Sequence, residues 1–470
     1  MSQVNLNKRK LFTTSVKEVT EDLVSEDLVS EAVALHQSQL LRGYIENENM
    51  YMSQHKILRQ KCKEPWKPDN RLVINYAKYI VDTFSGYQIG VPIKVTHDNE
   101  EVTEFINDFR KLNDMEDTEF ELAKMSDIFG HAFLYVYQDE SGNTRTTYNS
   151  PINMFIVHDN TIEEKPLFAV RYAFNEGEVT GYGQVITDKE VIDISVEKGG
   201  SVSFGERDSH IYGKLPVIEL IENEERQGVF DSVKTLINAL NKAASEKAND
   251  VDYFADAYLK IVGVELKDGM AEQIKESRIF NLWKNNSSDG TTPDVAFLEK
   301  PSSDTTQENL IALLKESIFA VSMVANLSEE DFGNASGTAL AFKLQAMDNL
   351  AKMKDRKMQS ALNRLYEIVF NVPMATVSSD DWTGIKYQFT RNVPRNILEE
   401  AQIVAQLSGQ VSDATKLSVL SIVDNPQDEL KKMEKEEESS SLLSKKIALN
   451  ERMTDKDLKS DSQEVIANGE

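Results

Sequence analysis

The side chains most able to do chemistry in this 470-residue chain are its histidines and clustered acids, and neither set forms a catalytic pattern. Two histidines three or four residues apart would place both rings on one helix face, as a metal site requires, but none has that spacing. The histidines are His36, His55, His97, His131, His158 and His210. The run Glu329-Glu330-Asp331 offers oxygen ligands for a cation, although neighbouring acids in a polar loop are usually only solvated. We therefore predict no catalytic residues, no cofactor and no metal ligands.

Motifs that bind phosphate or activate a nucleophile are also missing from the sequence. It has no Walker-type glycine loop, no nucleophile elbow and no dinucleotide fingerprint. The glycine-flanked run 333–337 could cradle a phosphate with its amides, but a turn before a helix is the favoured interpretation. The chain is therefore predicted not to be an enzyme, and a DNA-processing enzyme is the least supported alternative.

Bulk composition excludes several further classes. The net charge of −26 would repel DNA if the surface is taken as a whole, because tight nucleic-acid binding usually needs a basic surface. Acidic excess also has a simpler explanation, since it keeps many proteins soluble. The single cysteine, Cys62, excludes an intrachain disulfide framework and zinc sites made from cysteine pairs. Apolar stretches such as 318–324 are too short to cross a bilayer, so we expect neither a membrane span nor a signal peptide.

The elements that would position functional residues begin with helices and continue with strands. Apolar spacing predicts a helix carrying Leu72 to Phe84, with Asn70 as its cap and Gly86 and Gly90 closing it, and more helix over 101–129. Between residues 131 and 217 the spacing changes to alternating strands with turn signals. The clearest strands are predicted at 131–137, 154–157, 167–174 and 184–196, with 141–143 as a hairpin turn. This part of the chain therefore predicts helices with an antiparallel sheet.

Two long helices flanking a small α/β insert follow. Apolar residues recur at steps of three and four over 230–261 and over 305–324, with the insert at 262–300 between them. Basic residues are interleaved with the apolar ones on the first of these helices and on the long helix predicted after residue 337. Candidates for facing a central channel are Lys242, Lys247, Lys260 and Lys343. A solvated helix face is the simpler interpretation of the same lysines.

The longest helical pattern lies behind a polar, glycine-containing segment at 325–337. It covers 340–368 in a four-three rhythm that only Lys354 interrupts, which is typical of a coiled coil or of a helix that crosses an assembly. A strand at 385–390, helices at 397–408 and 412–421 and a charged helix from 424 are predicted after it. Acidic and serine-rich runs beyond residue 434 predict partial disorder.

Three sequence segments resemble a known family. The first is KPDNRLVINYAKYIVDT at 67–83, continued by GY at 86–87 and GVP at 90–92. The second is DFGNASGTAL at 331–340, leading to NLAK at 349–352, and the third is TKLS at 415–418 with VDNP at 423–426. In this order they resemble the portal (head-to-tail connector) proteins of siphophages that infect Gram-positive bacteria.

The resemblance implies an α+β, mainly α, elongated subunit that assembles into a ring, usually of twelve. The implied parts are a flexible N-terminal segment (1–25), a wing (26–229), a stem helix (230–261), a clip (262–300), a second stem helix (301–324), a tunnel loop (325–337), a long spine helix with the wing return (338–394), a crown (395–440) and a disordered acidic and polar tail (441–470). The tunnel-loop residues would be Asn326, Ser328, Glu329, Glu330, Asp331, Phe332, Gly333, Asn334, Ser336 and Gly337. The clip residues that contact partners would be Glu265, Lys267, Asn281, Trp283, Lys284 and Asn285.

The implied function is a non-enzymatic channel at a capsid vertex for genome packaging, retention and ejection. Its partners would be further copies of the chain, the terminase, a head-completion adaptor, and the major capsid and scaffolding proteins, with double-stranded DNA passing through without sequence specificity. The protein would lie in the virion after assembly in the host bacterial cytoplasm, without a membrane. The alternative is another phage head or scaffold protein that multimerises through 340–368.

Overall fold

The computed structural model describes residues 4–15, 24–64, 67–255, 259–262, 294–297, 304–328, 337–373, 375–393, 397–420, 422–423, 426 and 429–436. The chain divides into two compact units. The first comprises Met1–Asn334 and Leu340–Asn392, and the second comprises Ala335–Ala339 and Val393–Glu470. Among the described residues helices predominate over strands, which confirms the α+β, mainly α fold class.

A seven-stranded sheet with the order β1-β2-β6-β7-β8-β9-β10 forms one part of the first unit. Its strands are β1 (Val4–Leu6), β2 (Phe12–Thr14), β6 (Met154–Asp159), β7 (Pro166–Ala173), β8 (Thr180–Ile186), β9 (Glu190–Glu197) and β10 (Val202–Ser209). All neighbours are antiparallel except β2 and β6, which are parallel. Helix α1 (Glu26–Leu35) packs its buried residues against this sheet, and Ser25 caps it by accepting a hydrogen bond from the Leu28 amide at 3.3 Å.

The N-terminal strands differ from the expected flexible segment at 1–25. In its described part, β1 and β2 pair with each other and β2 pairs with β6 in the register Phe12 to Val157. Leu11 and Phe12 are buried, and the burial of these apolar side chains together with the strand pairing favours an ordered segment.

A second core joins helices to a three-stranded sheet with the order β11-β4-β5. These strands are β4 (His131–Gln138), β5 (Thr144–Asn149) and β11 (Val217–Ile221). The helices before them are α2 (Leu41–Tyr51), α3 (Tyr76–Ile89), α4 (Glu100–Leu112) and α5 (Met115–Phe129), and strand β3 (Lys94–Thr96) lies between α3 and α4. The hairpin expected at 141–143 is confirmed by the antiparallel pairing of β4 with β5.

Three predicted boundaries in this region were wrong. Helix α3 is capped by Asn75, which accepts from the Lys78 amide at 2.9 Å, instead of by Asn70. The helix expected over 101–129 is two helices, because Asp114 adopts a left-handed φ of 45°, which short polar side chains tolerate. The strand expected at 184–196 is the hairpin of β8 and β9.

Helix α6 (Lys234–Ala255) is shorter than the predicted helix at 230–261. Leu259–Val262 forms strand β12, which pairs antiparallel with β13 (Asp294–Phe297). Ile261 lies opposite Val295 in that ladder, and β-branched side chains favour such a pair over a helix. The strand expected at 294–298 is confirmed, whereas Lys260 belongs to β12 and not to the helix.

The helices after the insert agree with the sequence pattern. They are α7 (Asp304–Ser322) and the 34-residue α8 (Gly337–Phe370), which at 1.5 Å per residue is about 50 Å long. Strand β14 (Lys386–Gln388) then pairs with β3. In the second unit the predicted helical pair is confirmed as α9 (Ile397–Leu407) and α10 (Asp413–Val419), and residues 429–436 are also helical.

Candidate functional site

The predicted loop and clip residues fall largely on parts of the chain that the structure leaves undescribed. Outside the described residues lie Glu329, Glu330, Asp331, Phe332, Gly333, Asn334 and Ser336 of the loop, and Glu265, Lys267, Asn281, Trp283, Lys284 and Asn285 of the clip. Of the remaining loop residues, Gly337 is the first residue of α8. Asn326 is buried, and its Oδ1 accepts a hydrogen bond from the Ser328 hydroxyl at 2.7 Å.

The candidate channel lysines differ from one another in environment. Lys242 on α6 and Lys343 on α8 are exposed. Lys247 is half-buried and forms a 2.8 Å ion pair with Glu308 of α7. An ion pair at the surface stabilises by about 1 kcal/mol at most, but it partly neutralises that lysine. The side chain of Lys260 lies outside the described residues.

Helices α6 and α7 are joined by polar contacts between the end of α6 and the start of α7. Besides the Lys247–Glu308 pair, Gln307 Nε2 donates to Asp250 Oδ2 at 2.9 Å. Towards the end of α7, the Phe319 ring packs edge-on against Tyr76 and Tyr79 of α3, with centroids 5.1 and 5.6 Å apart. The pair is therefore fixed to α3, which lies in the first family-like segment.

A ladder of polar side chains on α6 holds the start of that same segment. The amides of Asn70, Leu72 and Ile74 donate to Asn249 Oδ1, Ser245 Oγ and Asn241 Oδ1 at 2.6, 2.9 and 2.8 Å respectively. Two residues of an extended chain advance about 6.6 Å and four residues of a helix about 6 Å, so alternate amides match every fourth helix residue. The ladder therefore fixes residues 70–74 along α6 in one register.

The outer face of α7 exposes apolar side chains. Leu313 is 59% exposed, and Leu310 and Val321 on the same helix are also exposed. Phe342 near the start of α8 is 75% exposed. Exposed large apolar side chains on a helix that contributes little to the core indicate a surface that a partner covers. We call Leu310, Leu313 and Val321 the α7 face.

A buried charge cluster lies where α8 crosses α5. Lys354 is 0% exposed, and its ammonium group forms ion pairs with Asp127 of α5 and, at 2.8 Å, with Glu222 after β11. The same Nζ donates to the Ala123 carbonyl at 2.9 Å, and Ser85 Oγ of α3 donates to Asp127 Oδ2 at 2.6 Å. The cluster therefore joins α3, α5 and α8 at one point.

The charges of this cluster do not balance when both carboxylates are ionised, because there are two of them and one ammonium. Burial, against the opposing effect of the Lys354 charge and with a contribution from the Glu222 charge, raises the pKa of Asp127 to about 8. Burial lowers the pKa of Lys354, but Asp127 and Glu222 together raise it above its ordinary value. A proton on Asp127 reduces the excess of negative charge in the core near neutral pH.

A second buried cluster looks like catalytic machinery but has no room for a substrate. His131 Nδ1 donates to Glu219 at 2.5 Å, and His131 Nε2 accepts from the Tyr44 hydroxyl at 2.8 Å. Arg226 donates two hydrogen bonds to Glu219, at 2.7 and 2.8 Å. The cavity beside these groups measures about 10 Å³, which is barely enough for one water molecule. Burial also lowers the pKa of His131, so the ring stays neutral. This arrangement positions α2, β4 and β11 and does not process a ligand.

Metal and membrane sites were sought in the same part of the chain. Within the described residues, no group of three or more His, Cys, Asp or Glu side chains could hold a metal ion. No described helix is both long and apolar enough to span a bilayer.

Sequence reasoning missed most of the residues that organise this structure. Lys354 was visible as the one interruption of the apolar rhythm of α8, but its partners Asp127 and Glu222 lie far away in the chain. Asn241, Ser245 and Asn249 carried a detectable signal, because they repeat every four residues along a helix. Their partners are backbone amides, which have no sequence signature.

Comparisons with known proteins give consistent results. A family model described as "Phage portal protein, SPP1 Gp6-like" matches residues 32–441 and so includes all three family-like segments. The portal protein of Bacillus phage SPP1 is 26% identical over 402 residues, covering 80% of this chain and 78% of that protein. The portal protein of Clostridium phage phiCD119 is 22% identical over 397 residues, covering 78% of this chain and 85% of that protein.

Two chains from solved gene transfer agent particles match this chain with low TM-scores. A chain from the virion of a native particle superposes with a TM-score of 0.45 and 12% identity. The match covers 73% of this chain and 88% of the particle chain. A chain from the neck of an empty particle, computed with C6 symmetry, gives a TM-score of 0.48 and 12% identity, covering 81% and 93% respectively.

Proposed function

Because this chain belongs to the SPP1 Gp6-like family of phage portal proteins, we propose that its copies close into a ring around a channel for double-stranded DNA. The ring, of twelve subunits in this proposal, stands at one capsid vertex and conducts the genome during packaging, retains it and releases it at ejection. Its role is structural and not enzymatic.

The observation that carries the ring is the α7 face. Leu313 and its neighbours on α7 leave about half of each side chain exposed in a single copy, and covering the exposed part would contribute on the order of 1 kcal/mol per side chain. A second copy of the chain is the partner that a ring supplies on both sides of every subunit. We infer that the α7 face packs against the neighbouring subunit.

The net charge supports a channel that holds DNA loosely. With 78 acidic and 52 basic residues, the chain has no surplus of positive charge for releasing counterions along a duplex. Strong phosphate contacts would slow a moving duplex, whereas scattered cations such as Lys242 and Lys343 would guide it. In this proposal both lysines face the channel.

The proposed partners follow the parts implied by the family resemblance. The insert at 262–300 docks the terminase during packaging and the head-completion adaptor afterwards, and the ring also contacts the major capsid and scaffolding proteins. Assembly takes place in the cytoplasm of the host bacterium.

Replacing Leu313 with glutamate tests the ring interface. Placing an unpaired carboxylate in a dry interface costs several kcal/mol, so we expect at least about a tenfold rise in the concentration needed for half-assembly, measured by sedimentation velocity. Ile162 is fully exposed on a loop of the seven-stranded sheet, and Ile162→Glu is the matched control. Normal assembly of L313E, or equal disruption by I162E, would contradict the assignment.

A further inference from the structure

We propose that Tyr79 fixes the point at which the DNA-facing loop at 325–337 begins, by pinning the backbone that leaves α7. The loop's contact with DNA belongs to the proposed function, so the inference rests on it. The pin itself is a property of the subunit and can be measured without DNA.

The chain leaves α7 through a strained turn. The helix ends at Ser322, and Met323 follows with φ of +61°, a left-handed conformation that residues other than glycine rarely adopt. Val324 is buried immediately after it, so the turn directs the chain back towards the core. Such a conformation persists only where the surrounding structure holds it.

Tyr79 holds this turn in place. Its hydroxyl oxygen accepts a hydrogen bond from the Leu327 amide at 2.9 Å. The Tyr79 ring packs edge-on against Phe319, in the last turns of α7, and against Tyr76, at 5.6 and 6.2 Å. Helix α7 therefore helps to position the Tyr79 hydroxyl, and that hydroxyl in turn restrains the backbone that follows α7.

The buried Asn326 reinforces this anchor. It is 6% exposed, and its Oδ1 accepts hydrogen bonds from both the amide and the hydroxyl of Ser328. A side chain that organises the following two residues in this way forms a tight local turn. Residues 323–328 thus form a short anchored strap between α7 and the rest of the loop.

The hydrogen bond from the Leu327 amide fixes the strap at one position along α3. In the proposed ring every subunit would then present its loop from the same origin. Tyr79 is a positioning residue in this scheme and does not contact DNA itself.

Tyr79→Phe removes the hydroxyl and leaves the ring contacts in place. We expect amide exchange at Leu327 to accelerate about tenfold in the purified protein, as the loss of one backbone hydrogen bond predicts, while exchange in the first turns of α7 is unchanged. The matched control is Tyr76→Phe. Its ring also contacts Phe319, but within the described chain its hydroxyl has no hydrogen bond to the strap. Y76F should exchange like the unmodified protein.

Particles assembled from the same variants provide a second readout. We expect less packaged DNA per particle with Y79F and an unchanged amount with Y76F. Unchanged exchange at Leu327 in Y79F, equal acceleration in Y76F, or a normal DNA content in Y79F particles would each overturn the inference. A failure of the ring proposal itself would appear separately, in the sedimentation of the unmodified protein.

Discussion

The charge cluster around Lys354 and the α7 face differ in whether a single copy of the chain satisfies them. Lys354, Asp127 and Glu222 are fully buried and partnered within one subunit. Leu310 and Leu313 are large, apolar and exposed. The first region therefore fixes the shape of the subunit, and in the proposed ring a neighbouring subunit covers the second.

This contrast separates folding from assembly. Changes in the charge cluster should alter the stability of the subunit, whereas changes on the α7 face should alter association and leave the fold intact. A charge-cluster variant that alters association, or an α7-face variant that alters the stability of the subunit, would show that the two regions are coupled.

The largest expected effect comes from Lys354→Met. Methionine has a similar volume but removes the cation that pairs with Asp127 and Glu222 in the core, which should cost about 3–5 kcal/mol of unfolding free energy. Denaturant unfolding of the purified protein measures it. The control is Lys357→Met, because Lys357 pairs with Glu224 at the surface of the same helix and should contribute about 1 kcal/mol or less. A K354M protein as stable as K357M would show that the cluster does not hold α8.

A smaller effect per unit of pH change is expected from the titration of Asp127. The native pKa of Asp127 is about 8 and its ordinary value is near 4, so between these pH values the folded protein holds a proton that the unfolded chain has lost. The stability that this proton provides is complete below about pH 4 and is lost as the pH rises towards 8. Asp127→Asn keeps the shape and removes the titration.

The measurement is the unfolding free energy at several pH values from 5 to 8. The unmodified protein should lose up to about 1.4 kcal/mol more per pH unit than Asp127→Asn in this range. Parallel pH profiles would mean that Asp127 is ionised throughout and that the core holds an unbalanced charge.

The smallest of the three effects should follow Asn241→Ala. The change removes the acceptor for the Ile74 amide, and an unmade hydrogen bond at a buried site costs about 1–2 kcal/mol. Exchange of the Ile74 amide should accelerate in the same variant. Lys242→Ala changes the exposed neighbour on α6 and should stay within about 0.5 kcal/mol of the unmodified protein. Equal effects at both positions would show that the ladder is incidental.

Sequence patterns predicted the long helices well and their ends poorly. The four-three rhythm of α8 was long enough to define the helix, because many apolar positions agree on one face. Helix α6 was predicted too long because Ile261 also fits a helical spacing, and only its partner Val295 on β13 decides for a strand. The strands β1 and β2 were missed because three-residue strands have too few positions to show a period.

The family could be recognised from the sequence, whereas the buried contacts that hold the fold together could not be predicted from it. Residues 67–92 carried the resemblance, and the structure explains part of that segment by the ladder on α6 and by Tyr79 beside α7. A buried cluster such as Lys354 with Asp127 and Glu222 depends on three segments meeting in space, which local spacing cannot encode. Single sequences show an interrupted pattern but not the partner that compensates for it.

The most direct test of the portal account is an image of the purified, unmodified protein by negative-stain electron microscopy. The account predicts annular particles with a central hole wide enough for a DNA duplex and a countable rotational symmetry. Rods, simple dimers or monomers at every concentration would contradict it.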